Sequence, residues 1–298
     1  METFFTFLEK RADDSSSLLC VGLDPHIPDL KEPTAVSALD FCLNLVKQTA
    51  PYAAAFKPNA AFFEVFGAKG WTVLKQVIDT IGEESNRLGS KIPIILDAKR
   101  GDIASTAEAY AKSAFENLGA DGITLSPYLG KDSIEPFIKD QDKGVFLVCK
   151  TSNPGSGDLQ DLLVTTDDKP RTTDNKPRAM DGVVRRPSSV VPLYEHVAHL
   201  AQQWNTKNNI GLVVGATHLD ALKRVRTAAP DLWFLVPGVG TQGGDLESAL
   251  KAGLRKDGLG MLINVSRGIS RAENPAQAAA EIRDQIVNTK RDLNRAAL

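Results

Sequence analysis

The chain has 298 residues, of which 42% are hydrophobic and 24% charged, as in ordinary soluble globular proteins. That length can bury one large α/β core or two smaller ones. The formal net charge of -2 gives no electrostatic reason to expect nucleic acid or an anionic membrane as a partner, so any anion must be bound locally.

Nothing in the sequence predicts export, a disulfide framework or a metal site. The cysteines Cys20, Cys42 and Cys149 are widely spaced and form no C-x-x-C pair. The opening residues, METFFTFLEKRADD, do not have the pattern of a signal peptide, and no apolar run is long enough to span a bilayer. His196 and His199 lie three residues apart but have no third ligand at a matching spacing. We therefore expect a cytoplasmic protein without a bound metal.

Apolar runs of strand length alternate with segments of helical spacing along the whole chain. The predicted strands are Leu18–Leu23, Ala53–Phe56, Ile92–Leu96, Gly122–Leu125, Val145–Cys149, Gly211–Gly215, Phe234–Val236 and Met261–Val265. The predicted helices are Phe4–Arg11, Thr34–Thr49, Ala60–Phe66, Trp71–Leu88, Ile103–Leu118, Ser133–Ile138, Leu193–Asn205, Leu219–Ala228, Leu246–Ala252 and Ala276–Arg295.

Eight successive βα units predict parallel strands with right-handed crossovers, and hence a single α/β domain over residues 1–298, a closed (β/α)8 TIM barrel. Such a barrel builds its active site at the C-terminal ends of its strands. The alternative fold is a doubly wound open sheet. That fold normally has a glycine fingerprint after its first strand, and the residues LDPH at this point are not one.

The composition changes after the fifth strand. Residues Asp167–Ser189 are polar, interrupted by proline and poor in aromatic residues, which predicts a long loop. We place an insertion at residues 156–191 and expect it to be either a lid or a disordered segment. Arg185 and Arg186 within it are interpreted as a solvated charge run.

The third strand leads into a charged segment, and residues Ile94–Ile103 read IILDAKRGDI. Side chains two apart on a strand point the same way, so Asp97 and Lys99 should project together. Gly101 permits a turn, which puts Asp102 at the N-cap position of the next helix. A surface ion pair followed by a helix cap would also explain this stretch taken alone.

Asp24 and Lys57 follow the first two strands and should lie beside Asp97 and Lys99. In an alternating array of this kind each opposite neighbour favours the charged form of a group. A charged Lys99 would be a poor Schiff-base nucleophile but a good proton donor. A purely structural ion network is the alternative interpretation.

The loops after the seventh and eighth strands predict a phosphate site. Barrels commonly hold phosphate there, with backbone N–H groups and a helix N-terminus. Glycine clusters mostly mark turns, but arginine adds a forked cation to this pair of loops. The residues concerned are Gly238, Gly240, Gln242, Gly243 and Gly244 after the seventh strand, and Arg267 and Gly268 after the eighth.

Five motifs together resemble the orotidine 5'-phosphate decarboxylase family. They are FKPNAAFFE, DAKRGD, KTSNPGSGDLQD, PGVGTQGGD and NVSRGI, after strands two, three, five, seven and eight. The D-x-K-x-x-D motif alone is shared with sugar-phosphate enzymes of the same barrel superfamily, whereas its combination with TSNPG and GVGTQGGD is much more specific.

The resemblance implies the final step of de novo UMP synthesis, in which orotidine 5'-phosphate loses CO2 to give UMP without a cofactor. It implies that Asp97 lies near the substrate carboxylate and that Lys99 protonates C6. It also implies a homodimer in which Asp102 is contributed from the other subunit, with Ile103 and Thr106 in matching trans positions.

The remaining roles that the resemblance implies concern substrate binding. Lys57 and Asp24 correspond to residues that hold the ribose hydroxyl groups and the charge network, and Ser152 to the one that reads the pyrimidine edge. Gln242 and Arg267 correspond to the residues that grip the phosphate. Pro237, Gly238 and Ser266 are expected beside them.

Two other functions compete with this one. The first is a metal-dependent sugar-phosphate decarboxylase or synthase on the same barrel, against which the TSNPG loop and Gln242 argue. The second is a phosphate-ligand binding barrel without turnover. A degenerate site would be expected to have lost at least one of Asp97, Lys99 and Asp102, and all three are present.

Overall fold

The fold is known from a computed structural model, which describes residues 2–166, 189–240 and 243–296. Its strands are β1 Leu19–Leu23, β2 Ala55–Pro58, β3 Ile95–Arg100, β4 Gly122–Leu125, β5 Gly144–Lys150, β6 Leu163–Thr166, β7 Ser189–Pro192, β8 Ile210–Val214, β9 Phe234–Pro237 and β10 Met261–Val265. Its helices are α1 Phe4–Asp14, α2 Ala35–Thr49, α3 Ala61–Glu64, α4 Ala68–Leu88, α5 Ala104–Lys112, α6 Leu193–Trp204, α7 Leu219–Ala228, α8 Leu246–Gly253, α9 Arg267–Ser270 and α10 Pro275–Ala296.

Eight of these strands form one parallel sheet in the order β2-β1-β10-β9-β8-β5-β4-β3. Parallel bridges from Phe56 to Ile94 and from Asn59 to Asp97 join the two ends of that order, so the sheet closes on itself. The predicted (β/α)8 barrel is therefore confirmed, and the open doubly wound sheet is excluded. Within the described ranges no helix is both long and apolar enough to cross a membrane.

The N-terminal end of the barrel is filled by aromatic side chains from α1. Phe4 packs edge-on against Phe146, with ring centroids 6.2 Å apart, and Phe5 stacks on Trp233 at 6.1 Å. Gly144 leaves the space for the Phe4 ring, since a Cβ there would lie 2.1 Å from a ring carbon. Each buried aromatic side chain contributes roughly 1.5–3 kcal/mol. These rings close the interior of the barrel at this end, which leaves the C-terminal end for a site.

Two helix predictions need correction. The helix predicted at Ser133–Ile138 is instead a pair of 3-10 turns, Lys131–Ser133 and Glu135–Phe137. Pro136 has no N–H and so cannot continue an α-helical ladder. The helix predicted over Ile103–Leu118 begins at Ala104 and becomes a π-helical turn at its end.

The predicted insertion, residues 156–191, also contains more order than expected. Its two arms pair as an antiparallel hairpin, with Leu163 opposite Pro192 and Thr166 opposite Ser189. The β-branched residues of both arms favour strands. The loop predicted at Asp167–Ser189 therefore ends in a strand, and the rest of it, including Arg185 and Arg186, lies outside the described residues.

Candidate active site

The carboxylate of Asp97 is the centre of an ion cluster at the C-terminal end of the barrel. Lys57 Nζ donates to Asp97 Oδ2 at 2.7 Å, and Lys99 Nζ donates to Asp97 Oδ1 at 2.6 Å. The hydroxyl of Thr124, on β4, donates to the same Oδ1 at 2.9 Å. As the two-residue spacing on the strand predicts, Asp97 and Lys99 project together.

The backbone of β3 is distorted where it carries these residues. Its register with β4 shifts between Leu96 and Arg100, and Lys99 adopts a left-handed φ of +46°. Thr124 Oγ1 stabilises the distortion by accepting the N–H groups of Ala98 and Lys99 at 3.0 and 2.9 Å. A strained conformation of this kind persists only where the surroundings hold it, and such residues cluster at functional sites.

Electrostatics keep the central pair of the cluster charged. Burial alone lowers the pKa of Lys57, but the carboxylates of Asp97 and Asp24 outweigh it and hold that pKa well above its usual value. Burial likewise raises the pKa of Asp97, but the ammonium groups of Lys57 and Lys99 outweigh it and hold that pKa well below its usual value. The Lys99 side chain is 50% exposed, so one cation of the cluster faces open space.

Five predicted residues line one cleft of about 290 Å³ beside this cluster. They are Asp24, Pro237, Gly238, Ser266 and Arg267. Within the described part of the chain, the guanidinium of Arg267 has no hydrogen-bond or ion-pair partner. The cleft therefore combines a free cation with the loops that follow β9 and β10, where barrels bind phosphate.

The loop after β9 turns sharply at three glycines. Gly238, Gly240 and Gly243 adopt φ angles of +97°, +75° and +86°, which residues other than glycine rarely adopt. Gly244 N donates to Gly238 O at 3.0 Å and closes the loop. Gln242 lies outside the described residues, so its predicted contact with phosphate stays a prediction.

Asp102 is not part of the ion cluster of its own chain. Its Oδ1 accepts the N–H of the adjacent Ile103 at 2.8 Å, and no described residue bridges it to Asp97 or Lys99. The prediction that Asp102 caps α5 is wrong, because Ile103 occupies the N-cap position and Ala104 has a left-handed φ of +48°. Ile103 is 52% exposed and Thr106 is also exposed, so all three predicted trans residues reach the surface.

Ser152 lies at the tip of β5, directly against the end of β8. A Cβ on Gly215 would lie 3.1 Å from the Ser152 backbone nitrogen, so glycine favours the close approach of the two segments. Lys150, two residues before Ser152, is almost fully buried and donates to Asp161 Oδ1 at 2.7 Å and to Ser156 Oγ at 3.2 Å. These bonds tie the loop that carries Ser152 to the barrel.

Arg100 anchors the tip of β3 from outside the barrel. Its Nη2 donates to Glu64 Oε1, at the end of α3, at 2.5 Å. Its guanidinium carbon lies 5.0 Å from the ring centroid of Tyr110 on α5, within the range of a cation–π contact. The strand segment that carries Lys99 is therefore held between two helices.

A larger cavity, of about 720 Å³, contains none of the predicted site residues. It lies beside α4, near the beginnings of β3 and β4, where Lys91 Nζ pairs with Asp121 Oδ1 at 2.6 Å. Size alone does not identify the site, because the unpaired cation and the ion cluster are at the other end of the barrel.

A family model described as Orotidine 5'-phosphate decarboxylase / HUMPS family matches residues 17–282. The chain belongs to this family. The resemblance read from the motifs is thereby confirmed.

Individual members of the orotidine 5'-phosphate decarboxylase family match the chain almost end to end. A protein of Roseiflexus castenholzii with that name is 45% identical over 284 residues, covering 94% of this chain and 93% of its own. The solved structure of Leishmania donovani OMP decarboxylase is 49% identical with a TM-score of 0.79, covering 97% of this chain and 99% of that one. Leishmania donovani UMP synthase is 50% identical with a TM-score of 0.81, covering 97% of this chain and 57% of that one.

The residues of this site that sequence reasoning missed include Thr124, Asn264 and Lys150. Thr124 is the only polar residue of the strand GITL, which was a usable signal. Asn264 likewise interrupts an apolar strand, and it lines the cleft. Lys150 could not be recognised from the sequence, because its ion-pair partner Asp161 lies eleven residues later in the chain.

Proposed function

We propose that the chain catalyses the decarboxylation of orotidine 5'-phosphate to UMP and CO2, as a carboxy-lyase of pyrimidine biosynthesis that needs no cofactor. Family membership supports this reaction. The observation that carries it is the carboxylate of Asp97 held between two ammonium groups, one of them half exposed, beside a cleft with an unpaired arginine.

The chemistry of this reaction demands charge that is already in place. Losing CO2 from C6 leaves an electron pair in an orbital orthogonal to the ring π system, so conjugation offers no sink. Preorganised charges can stabilise it instead. If the substrate carboxylate lies about 4 Å from Asp97, their repulsion is on the order of 4 kcal/mol at an effective dielectric of about 20. That repulsion disappears as CO2 leaves.

Lys99 is the proton donor in this mechanism. As the C–CO2 bond breaks, its electron pair stays on C6, and the ammonium of Lys99 transfers one proton to it to form UMP. The Lys99 side chain is half exposed, so solvent can restore its proton. Lys57 is almost fully buried and holds Asp97 in position from the other side.

The remaining contacts bind the substrate away from C6. In our proposal Asp24 and Lys57 hold the ribose hydroxyl groups, and Ser152 reads the pyrimidine edge. The phosphate binds at the loops after β9 and β10. Binding energy from this remote group can be used at the reacting centre. The phosphate-binding residues are Pro237, Gly238, Gln242, Ser266 and Arg267.

We also propose that the active enzyme is a homodimer in which Asp102 completes the site of the other copy. The support is that Asp102, Ile103 and Thr106 reach the surface together. Large apolar side chains are also exposed on the loop after β4, where Tyr128 is 79% exposed and Leu129 is 48% exposed. A second copy of this surface is the partner that would cover them.

Two broader expectations complete the proposal. The chain functions as a single barrel domain, with an insertion at residues 156–191 after β5. Its location is cytoplasmic, which fits the three buried free thiols of Cys20, Cys42 and Cys149.

The test is ultraviolet-monitored decarboxylation of orotidine 5'-phosphate in chelator-treated buffer. Turnover by the native chain should survive chelation and fall by about 10²–10⁴-fold in Lys99→Ala, as expected for loss of a general acid. Lys91→Ala, which removes a lysine paired with Asp121 at the other end of the barrel, should keep full activity.

A folded native chain without turnover would contradict the proposal. The same assay with sugar phosphates and magnesium would then test the metal-dependent relatives. The donor set does not favour that alternative, because both oxygens of Asp97 already accept hydrogen bonds from ammonium groups.

A further inference from the structure

Three side-chain oxygens on the walls of the cleft are buried without a hydrogen-bond partner among the described residues. They are Asp24 Oδ1, Asn264 Oδ1 and Ser266 Oγ. Nearly all buried polar atoms in folded proteins are paired, so three exceptions in one small cleft require an explanation. The hydroxyl of Ser266 can donate or accept, but Asp24 Oδ1 and Asn264 Oδ1 can only accept, so this part of the cleft suits a ligand group that brings donors.

Asn264 is the member of this group to which the proposed function assigns no role. It is 9% exposed, and it lies in β10 among Met261, Leu262, Ile263 and Val265, which are all apolar. An aliphatic side chain would be expected there from packing alone, because a buried amide costs free energy unless it is hydrogen-bonded.

The neighbours of Asn264 on both flanking strands leave its oxygen unpaired. Its register partner on β9 is Pro237, which has no N–H, and its partner on β1 is Cys20, whose thiol is not among its donors. No described residue therefore donates a hydrogen bond to Oδ1, although Asn264 lines the cleft.

We propose that Asn264 is a specificity-determining residue that recognises a ribose hydroxyl group of the nucleotide, together with Asp24. This inference rests on the proposed function. The phosphate and the C6 carboxylate of the substrate carry only acceptors at neutral pH. Its donors are the ribose hydroxyls and the N–H of the pyrimidine.

The position of Asn264 selects the ribose between those two donors. Asn264 lies on β10, which is flanked by β1 and β9. Asp24 follows β1, and the proposed phosphate-binding loop at Gly238 follows β9. Ser152, the residue assigned to the pyrimidine, is on the loop after β5. Since the ribose links phosphate and base, it is the part of the nucleotide that lies next to Arg267 and Asp24.

The test is calorimetric titration of UMP, 2'-deoxyUMP and 3'-deoxyUMP into the native chain, Asn264→Ala and Asn264→Leu. The native chain should bind UMP more tightly than at least one deoxy analogue. Each variant should lose about tenfold in affinity for UMP, the size of one hydrogen bond, and much less for that analogue. Two variants are used so that the result does not depend on whether leucine fits.

Thermal unfolding without ligand separates this role from a structural one. Removing an unpaired buried amide should leave Tm unchanged or raise it. The matched control is Asn209→Ala. Asn209 is also buried, but its Nδ2 donates to the carbonyls of Ile138, Asp140 and Lys143 at 3.1–3.3 Å, so this variant should lower Tm and keep the preference among the three nucleotides.

Two results would overturn the inference. If the Asn264 variants bind all three nucleotides more weakly by one common factor, or with native affinity, Asn264 does not read a hydroxyl group, and the proposed function stands. If the folded native chain does not bind UMP at all, the proposed function and this inference fail together.

Discussion

The two ends of the barrel differ in whether their buried polar groups are hydrogen-bonded. At the N-terminal end, Phe4, Phe5 and Trp233 are buried against one another, and the amide of Asn209 donates three hydrogen bonds. At the C-terminal end, buried oxygens are left unpaired and Lys99 has a left-handed φ. The contrast indicates that stability is concentrated at one end, which allows the other to hold strained and unsatisfied groups that a substrate can use.

The largest effect on activity should follow from changing Asp102 at the C-terminal end, because in our proposal Asp102 completes the site of the other subunit. Lys99→Ala and Asp102→Ala homodimers should each be nearly inactive. Mixing them should restore one intact site per heterodimer, because each subunit then supplies what the other lacks. Activity after mixing should exceed that of either variant by about 10²-fold or more.

The control for the mixing experiment is a Lys99→Ala sample mixed with itself and treated in the same way. Subunit exchange is followed with two differently tagged chains. Exchange without recovery of activity would show that Asp102 acts within its own chain or not at all.

At the N-terminal end the expected effect is on stability and not on activity. Phe5→Ala removes a ring that stacks on Trp233 and packs edge-on against Phe146, with centroids 5.6 Å apart in the second case. The free energy of unfolding should fall by about 3–5 kcal/mol. Denaturant unfolding measures this, and kcat at a temperature where the variant is folded should equal the native value. A large loss of kcat would mean that the two ends are coupled.

The ion cluster makes stability depend on acid pH. The pKa of Asp97 is lower in the folded chain than in the unfolded chain, so the folded state is favoured where Asp97 is ionised. Its contribution to stability is complete above a pH of about 4, which is the pKa of an aspartate in an unfolded chain. The contribution decreases as the pH falls below that value. Denaturant unfolding between pH 7 and 3 should show this loss.

The comparison variant for the acid series carries both Asp97→Asn and Lys57→Met. The double change is needed because Asp97→Asn alone leaves the buried ammonium of Lys57 without its main partner. The double variant should lose less stability than the native chain below pH of about 4. Parallel losses would show that other carboxylates dominate acid unfolding.

The features that the sequence predicted are those set by local pattern. Eight apolar runs, each followed by polar or glycine residues, predicted the barrel because strand burial and βα alternation are visible in the chain. Asp97 and Lys99 do meet, as the period of two along a strand predicts, although the strand is distorted at Lys99. Glycine clusters mostly mark turns, and the glycines after β9 do lie in one, since Gly238 has a φ of +97°.

The features that were missed depend on groups far apart in sequence. The bulge at Lys99 forms because Thr124, 25 residues away, accepts its N–H. The hairpin of β6 and β7 joins two short arms whose pairing across residues 167–188 no local pattern reveals. Asn264 lies between Cys20 and Pro237 in the closed barrel, and its Oδ1 has no described hydrogen-bond partner, neither of which the linear sequence shows.

The smallest expected effect tests whether the strained tip of β3 needs its outer anchor. Glu64→Gln weakens the ion pair with Arg100 but keeps the size of the side chain. Both side chains are partly exposed, so the free energy of unfolding should change by less than about 1 kcal/mol. We expect kcat to fall several-fold with little change in KM, because the contact fixes the strand that carries Lys99 and not the substrate itself. The control is Asp79→Asn, which makes the same change of charge in the exposed ion pair with Lys75 on α4. Equal kcat values for the two variants would show that the ion pair with Arg100 is not needed to hold the distortion at Lys99.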